Sequence, residues 1–293
     1  MKPASFRYLI AESVQEALAL KAEHGDAAKF LAGGQSLVPA MNFRLAQPSI
    51  LIDLNPIAAL GYIRSDAAEV QIGALTRYYS LLASDVIVRA LPLMREALPH
   101  VAHPQIRNRG TLGGNLAHAD PASEMPACLL ALDGRVLARS MRGERWIAAT
   151  EFFTGTLSTA LAEDELLSEI ALPIPGGNTG SAFMEVARRQ GDFALCGVAV
   201  VLARDAQGRC NHSRLAFCGA GATPVLATDA AQLMLGQPIE AALVEAVGAA
   251  VARELAPLGS VHASIAFQRH LASVLVRRAI RVAWERASVE TTA

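Results

Sequence analysis

The spacing of apolar positions changes several times along this chain, and each change predicts a strand or a helix. Residues 13–26 repeat apolar positions at helical spacing. Ser13 and Glu16 have the spacing of a capping box, and Gly25 follows the last apolar turn, so a helix is predicted there. Short apolar runs predict strands at 28–34, 49–54 and 68–75, and helical periodicity covers 76–84 and 85–98.

The second half of the chain shows the same alternation. Strands are predicted at 134–140, 144–150 and 164–173, with a short helix at 150–155. Leu172–Ser181, with two prolines and three glycines, is the predicted linker. Beyond it, three antiparallel strands are expected at 182–189, 193–203 and 212–221, followed by helices at 227–236, 239–255 and from His262 to about Ala287. A β-meander followed by a helical cluster makes an α+β domain.

Two double glycines interrupt the pattern, at Gly33-Gly34 and Gly113-Gly114. Either pair could be a tight turn at a strand end, or could expose successive amides to a phosphate. The spacing is not G-x-G-x-x-G, no clear βαβ unit opens with it and no G-K-[ST] follows, which disfavours a Rossmann site and a P-loop. From the residues alone, the turn and the phosphate loop both stay open.

The segment around the second pair has the densest turn signal of the chain. A helix could begin at Asp120, with Asp120 as N-cap and Pro121 at the first position. Pro126 would then interrupt it, so we predict a turn over Asp120–Glu124 and a helix from Pro126 through Leu132.

Composition narrows the class of protein. A chain of 293 residues suggests about two domains, and 52% hydrophobic with 18% charged residues is typical of globular proteins. A net charge of −1 argues against nucleic acid as a partner. The four cysteines show no metal-ligand spacing and are expected as buried free thiols. No secretory signal and no membrane-spanning stretch is evident, so a cytoplasmic protein without membrane insertion is expected.

Three segments together resemble a known family. They are "KFLAGGQSLVPAMNFRLAQPSILIDLN", "HPQIRNRGTLGGNLAHADPASEMPA" and "SAFMEVARRQGDFAL". The chain resembles the FAD-binding medium subunit of molybdenum hydroxylases, the family of the carbon monoxide dehydrogenase flavoprotein subunit and the flavin domain of xanthine dehydrogenase. The resemblance implies a two-subdomain, PCMH-type FAD-binding domain over residues 1–173, with subdomains of about 1–56 and 57–173, and a C-terminal domain over 174–293.

The resemblance also implies which residues bind FAD. Lys29 and a first loop of Ala32, Gly33, Gly34, Gln35, Ser36 and Leu37 would wrap the diphosphate, and a second loop of Thr111, Gly113, Gly114 and Asn115 would hold the other side of the cofactor. Asp120 and Glu124 match acidic positions near ribityl or ribose hydroxyls, although Asp120 could instead cap a helix. Val101 and Leu166 match apolar contacts to the flavin or adenine, for which core packing is a competing account.

One position departs from the family pattern. Some relatives carry a lysine near the flavin, just after the aromatic residue of the third segment, where this chain has Met184 and Glu185. Arg188 or Arg189 could supply that positive charge. FAD is expected to be bound non-covalently, although His118 keeps a covalent link open.

By resemblance, the chain transfers electrons within an oxidoreductase. The substrate would be hydroxylated at a molybdenum–pterin centre on a large subunit, and two [2Fe–2S] clusters on a small subunit would pass electrons to FAD here and then to an external acceptor. A dimer of heterotrimers is expected. No catalytic residue and no metal site is predicted in this chain, His100, His103 and His118 being read as surface or hydrogen-bonding residues.

Two other classes of function stay open. A stand-alone flavin oxidase or reductase would need a substrate-binding set, for which the loose candidates are Arg107, Arg109, Tyr78 and Tyr79. A flavin-free scaffold should have lost the glycines or the hydroxyls of Ser36 and Thr111, which this chain keeps. By the resemblance, the substrate pocket would lie in another chain.

Overall fold

A computed structural model describes residues 1–287, so the last six residues of the expected C-terminal domain lie outside the described part. The chain begins with a three-stranded parallel sheet in the order β1-β3-β2. Its elements are β1 (Arg7–Ile10), α1 (Val14–His24), β2 (Ala28–Leu31), α2 (Leu37–Asn42) and β3 (Ile50–Asp53). The predicted cap is confirmed, because the Ser13 side chain accepts from the Glu16 amide at 3.1 Å.

This N-terminal sheet corrects the expectation that no βαβ unit contains the first glycine pair. β2, the loop at 32–36, α2 and β3 form a parallel crossover, and the loop leaves the carboxyl end of β2. The unit is hidden in the sequence because α2 has only six residues and the strands only four each. Ligands of open α/β sheets bind at the carboxyl ends of the strands.

The middle of the chain folds around a five-stranded sheet in the order β4-β5-β10-β6-β7, with antiparallel neighbours. Its strands are β4 (Ile63–Ser65), β5 (Glu69–Gly73), β6 (Arg135–Ser140), β7 (Gly143–Ala148) and β10 (Leu166–Pro173), and β8 (Phe153–Gly155) pairs with β9 (Ser158–Thr159). The helices are α3 (Tyr78–Leu82), α4 (Asp85–Ala90), α5 (Pro92–Ala97), α6 (Pro104–Arg107), α7 (Leu112–His118), α8 (Glu124–Ala131) and α9 (Ala149–Phe152).

Helix α8 begins two residues earlier than predicted, with Ser123 at the N-cap position. Pro126 is its third residue, where a backbone N–H would have no partner within the helix, so the proline does not delay the start. The predicted turn is present over residues 120–123, where the Ser123 amide donates to the Asp120 carbonyl at 3.0 Å, and the alternative in which Asp120 caps the helix is wrong. The Asp120 carboxylate instead accepts from the Ala122 amide at 2.9 Å and forms the turn before the helix.

The C-terminal sheet has four antiparallel strands rather than the three expected: β11 (Thr179–Ala187), β12 (Ala194–Arg204), β13 (Cys210–Cys218) and β14 (Val225–Leu226). β14 is only two residues long, too short for a periodic signal. Three helices follow, α10 (Thr228–Gln232), α11 (Ala241–Glu254) and α12 (Ile265–Arg286).

Both faces of the C-terminal sheet are covered, which explains the unbroken apolar run of β12. Ala199 and Val201 pack into the core shared with the middle of the chain, whereas Val198 and Val200 pack against the C-terminal helices. This shared core joins the C-terminal sheet to α5 and α8. The four cysteines are buried and unpaired, as expected.

Candidate functional site

The two glycine loops lie against each other. A Cβ placed on Gly33 would lie 2.3 Å from the carbonyl oxygen of Arg109 and 2.9 Å from the Cα of Gly110. A Cβ on Gly114 would lie 3.5 Å from the Cβ of Ala32. Distances below 3.0 Å leave no room for a side chain, so Gly33 is required for the backbones to approach this closely.

The first loop offers backbone donors that the protein does not use. Gly34 has φ +73°, and its carbonyl accepts from the Val38 amide at 3.1 Å. Within residues 1–287, the N–H groups of residues 33–37 have no protein acceptor. Backbone donors need partners, and successive free amides form anion-binding concavities.

The second loop differs, because its amides are already bonded. Thr111 caps α7 by accepting from the Gly114 amide at 3.1 Å, and the Leu112 and Gly113 amides donate to carbonyls of the segment after β5 at 3.1 and 2.9 Å. The stretch was expected as a turn but is the first turn of a helix. It therefore contributes a close-packed surface rather than backbone donors to a ligand.

Asn115, also on α7, has a side-chain polar atom without a protein partner. Its Nδ2 donates to Ser123 Oγ at 3.0 Å, while its buried Oδ1 has no partner among the described residues. Whichever way the amide is oriented, one of its two polar atoms lacks a protein partner. A buried polar atom without a partner costs about 1–3 kcal/mol, so Asn115 is suited to a hydrogen bond from a ligand.

A cleft of about 450 Å³ opens beside the first loop, at the carboxyl ends of the N-terminal strands. Four predicted site residues line it, namely Ala32, Gly33, Gly34 and Gln35. Sequence reasoning did not assign the other lining residues to the cofactor site: Tyr8, Leu31, Val38, Pro39, Asn42, Asp53, Asn55, Arg77 and Arg109.

A chain of polar contacts crosses the wall of this cleft. Tyr8 donates to Asp53, and the Asn55 amide group donates to Asp53 and, at 2.9 Å, to the carbonyl of Ala32. The Arg77 guanidinium donates to Asn55 Oδ1 and to the carbonyl of Arg109. These contacts join β1 and the carboxyl ends of β2 and β3 to the segment before the second loop, and so fix the two loops relative to each other.

The same contacts alter the acidities of the groups involved. The hydrogen bond to Asp53, burial and the Asp53 charge raise the pKa of Tyr8, and the nearby Arg109 charge partly offsets that rise. Burial and the Arg109 charge lower the pKa of Arg77, which still remains a cation at neutral pH. The hydrogen bond from Tyr8 to Asp53 is therefore present throughout the neutral range.

The other predicted residues lie outside the lining of this cleft. Lys29 is exposed on β2, while Ser36 is exposed and Leu37 half-buried at the start of α2. Val101 and Leu166 are 6% and 5% exposed and belong to core clusters, so the packing account suits both.

Glu124 lies at the start of α8, within a buried group of ionisable side chains. Burial raises its pKa to about 7, and burial together with the Glu124 charge raises the pKa of Glu185 to about 8. The Glu185 side chain is 3% exposed, and its Oε1 lies 3.8 Å from Nδ1 of His100. At Met184 and Glu185 the chain therefore has a buried carboxyl that is protonated near neutral pH, and Met184 packs against the C-terminal core.

The candidates for a separate substrate site are Arg107, Arg109, Tyr78 and Tyr79. Arg107 donates to the Val101 and Ala102 carbonyls at 2.9 and 2.8 Å, and Tyr78 is buried. Of these four, Arg109 alone lines the cleft.

Arg188, a candidate for the positive charge in place of the lysine, forms an ion pair with Asp192 at 3.2 Å.

The described residues contain neither a candidate metal-ligand group nor a candidate membrane-spanning helix. Over residues 1–287, no three His, Cys, Asp or Glu side chains are grouped so that they could hold a metal ion. Within those residues, none of the helices combines the length and the apolar character needed to cross a bilayer.

Comparison with known proteins matches nearly the whole chain. Residues 4–175 match the family described as "FAD binding domain in molybdopterin dehydrogenase", and residues 181–283 match "CO dehydrogenase flavoprotein C-terminal domain". The 6-hydroxypseudooxynicotine dehydrogenase complex subunit alpha of Paenarthrobacter nicotinovorans is 41% identical over 287 residues, which cover 98% of this chain and 97% of that protein.

Carbon monoxide dehydrogenase of Hydrogenophaga pseudoflava is similar in sequence and in structure. Its medium chain is 36% identical over 98% of this chain and 99% of its own length. A solved structure of that enzyme superposes with a TM-score of 0.96 at 38% identity, covering 98% of this chain and all of that one. The fold is thus that of an FAD-binding protein. The chain belongs to the family of FAD-binding medium subunits of the carbon monoxide dehydrogenase and xanthine dehydrogenase type.

The residues present fit the FAD that this family binds. The first loop supplies amides without protein acceptors, Asn115 supplies a buried polar atom without a partner, and the glycines let the backbones of the two loops approach each other closely. A diphosphate can be bound by such dipoles without many basic side chains.

Proposed function

We propose that this chain is the FAD-binding electron-transfer subunit of a molybdenum hydroxylase complex. The observation that carries the proposal is the junction of the two glycine loops, where unused amides border the cleft, in a chain of this family. Bound FAD would supply one-electron and two-electron chemistry.

The chain's own residues would position that cofactor. Gly33, Gly34 and the amides through Leu37 would hold the diphosphate, and Asn115 would bond to a polar group on the opposite side. Thr111, Gly113 and Gly114 would form the closely packed wall. The remaining family positions, Lys29, Asp120, Glu124, Val101 and Leu166, keep this proposed role near the cofactor, with core packing as the competing account for the last two.

The proposed partners are a large molybdenum–pterin subunit and a small subunit with [2Fe–2S] clusters, assembled as a dimer of heterotrimers in the cytoplasm. Electrons would enter from the small subunit and leave to an external acceptor. Within the chain, we propose an FAD-binding domain at 1–173, divided near residue 56, and a C-terminal domain from 174. The substrate would be set by the large subunit.

Affinity purification of the tagged chain from its native cells tests this assignment. The proposed function predicts that a molybdenum-containing protein and an iron–sulfur protein purify with it in equal amounts, together with FAD released by denaturation. Recovery of the flavin-loaded chain alone, with reductase or oxidase activity of its own, would support a stand-alone enzyme instead.

A further inference from the structure

Arg109 has a fixed backbone and a free side chain. Its carbonyl accepts from the Arg77 guanidinium, and Gly33 packs directly on that carbonyl. The residue lines the cleft and is exposed, its charge lowers the pKa of both Tyr8 and Arg77 there, and no carboxylate of residues 1–287 lies within 4.0 Å of its guanidinium. An arginine whose backbone is fixed and whose guanidinium has no carboxylate partner is able to bind an anion in the cleft.

The guanidinium of Arg77, the other arginine of the cleft, already donates hydrogen bonds within the protein. One arm of its guanidinium donates to Asn55 and the other to the Arg109 carbonyl. These contacts use two of its five N–H donors and hold the guanidinium against the Arg109 carbonyl. Its position explains how the segment that carries Arg109 is held against the first loop.

The charges in the cleft favour an anion. Asp53 is the acidic residue in the lining, and its carboxylate already accepts from Tyr8 and from Asn55. The two arginines therefore outnumber it, and they share the cleft with the unused amides of the first loop. A phosphate group beside a guanidinium and backbone N–H groups gains charge-assisted hydrogen bonds.

From this arrangement we infer that Arg109 is the cation that binds the diphosphate of the cofactor, and that Arg77 is a positioning residue that acts through Arg109. The inference rests on the proposed function, in which the cleft holds FAD. The planar guanidinium can bond two phosphate oxygens at once, which a lysine ammonium does not match.

Binding measurements on the flavin-free protein test this inference. The dissociation constants of FAD and riboflavin are measured by flavin fluorescence at low and high KCl, for the wild type and for Arg109→Gln, Arg109→Lys and Arg77→Gln. Arg278→Gln is the matched control, because Arg278 is an exposed arginine on α12, away from the cleft.

Arg109→Gln should raise the FAD dissociation constant about 10- to 100-fold and flatten its dependence on KCl, because one charged hydrogen bond contributes about 1.5–3 kcal/mol. Riboflavin, which has no phosphate, should bind as it does to the wild type. Arg109→Lys should keep the salt dependence, and Arg278→Gln should change nothing. The effect of Arg77→Gln should be smaller in the Arg109→Gln background than alone.

Three results distinguish failure of the Arg109 role, of the proposed function and of the Arg77 role. If the wild type binds FAD and Arg109→Gln binds it with the same constant and the same salt dependence, the role of Arg109 is wrong while the proposed function stands. If the wild type binds no FAD at all, the proposed function is wrong as well. Fully additive effects of Arg77→Gln and Arg109→Gln would show that Arg77 does not act through Arg109.

Discussion

Gly33 lies directly on the carbonyl of Arg109, although the two residues are 76 positions apart in the sequence. A Cβ at residue 33 would lie 2.3 Å from that oxygen, well inside van der Waals contact. The first glycine of the pair is therefore required by the contact between the loops. A ligand bound at this junction would touch both.

This contact predicts the effect of Gly33→Ala. The added methyl group should push the loops apart and raise the FAD dissociation constant at least 10-fold, because the amides would no longer be aligned with the opposite wall. The measurement is fluorescence titration with FAD. Gly176→Ala is the matched control, since a Cβ at that exposed position has nothing closer than 3.5 Å.

If Gly33→Ala bound FAD like the control variant while remaining folded by circular dichroism, the loop junction would not shape the cofactor site.

The surroundings of Asn115 predict that its replacement changes FAD binding but not the stability of the flavin-free protein. Asn115→Ala removes the hydrogen bond to Ser123, worth about 0.5–1.5 kcal/mol, but also removes a buried polar atom that has no protein partner. The two effects oppose each other in the flavin-free protein, so thermal unfolding without FAD should change little. FAD should then stabilise the variant less than it stabilises the wild type.

Equal stabilisation of Asn115→Ala and the wild type by FAD would mean that the side chain makes no contact with the cofactor.

Glu185 predicts a pH dependence of stability. Its pKa of about 8 in the folded chain lies above the ordinary value of 4.5, so the folded state holds a proton that the unfolded state releases between these pH values. Stability should fall as pH rises from about 4.5 to 8, by about 3–5 kcal/mol from this group, and Glu185→Gln should remove that part of the fall.

Urea unfolding at a series of pH values measures this effect, with Glu151→Gln at an exposed position of α9 as the control. The groups that interact with Glu185 are His100, Glu124 and the thiols of Cys128, Cys196 and Cys218. Because Glu124 also has a raised pKa, some pH dependence should persist in Glu185→Gln. A pH profile unchanged from that of the wild type would show that Glu185 is ionised in the folded protein.

Local signals in the sequence were sufficient where a few neighbouring residues decide the structure. The cap at Ser13 and the long C-terminal helix were predicted with small errors at their ends. α7 was missed because glycines at its second and third positions suggest a turn, while Thr111 caps the helix and the segment after β5 accepts its first amides. β14 has only two residues, and its neighbour β13 determines its pairing.

The sequence predicted only part of the candidate site, because most of its residues come together only in the tertiary structure. Gly33 and Gly34 are visible as a motif, but Tyr8, Asp53 and Arg77 are single polar residues that end near one another only after the strands pair. Asn55 comes two residues after the end of β3, which is the one local hint of a role at the carboxyl edge of the sheet. Contacts of this kind arise from tertiary structure and leave no periodic pattern.

The most direct test of the cofactor loop is the FAD occupancy of Gly34→Val. Gly34 has φ +73°, and a Cβ there would already lie 3.2 Å from Val38 and 3.3 Å from Leu31, so valine would strain the loop and obstruct the amides. Equilibrium dialysis against FAD should give one FAD per wild-type chain and little in a folded Gly34→Val. The same occupancy in both folded proteins would show that this loop is only a turn and that FAD, if bound, lies elsewhere.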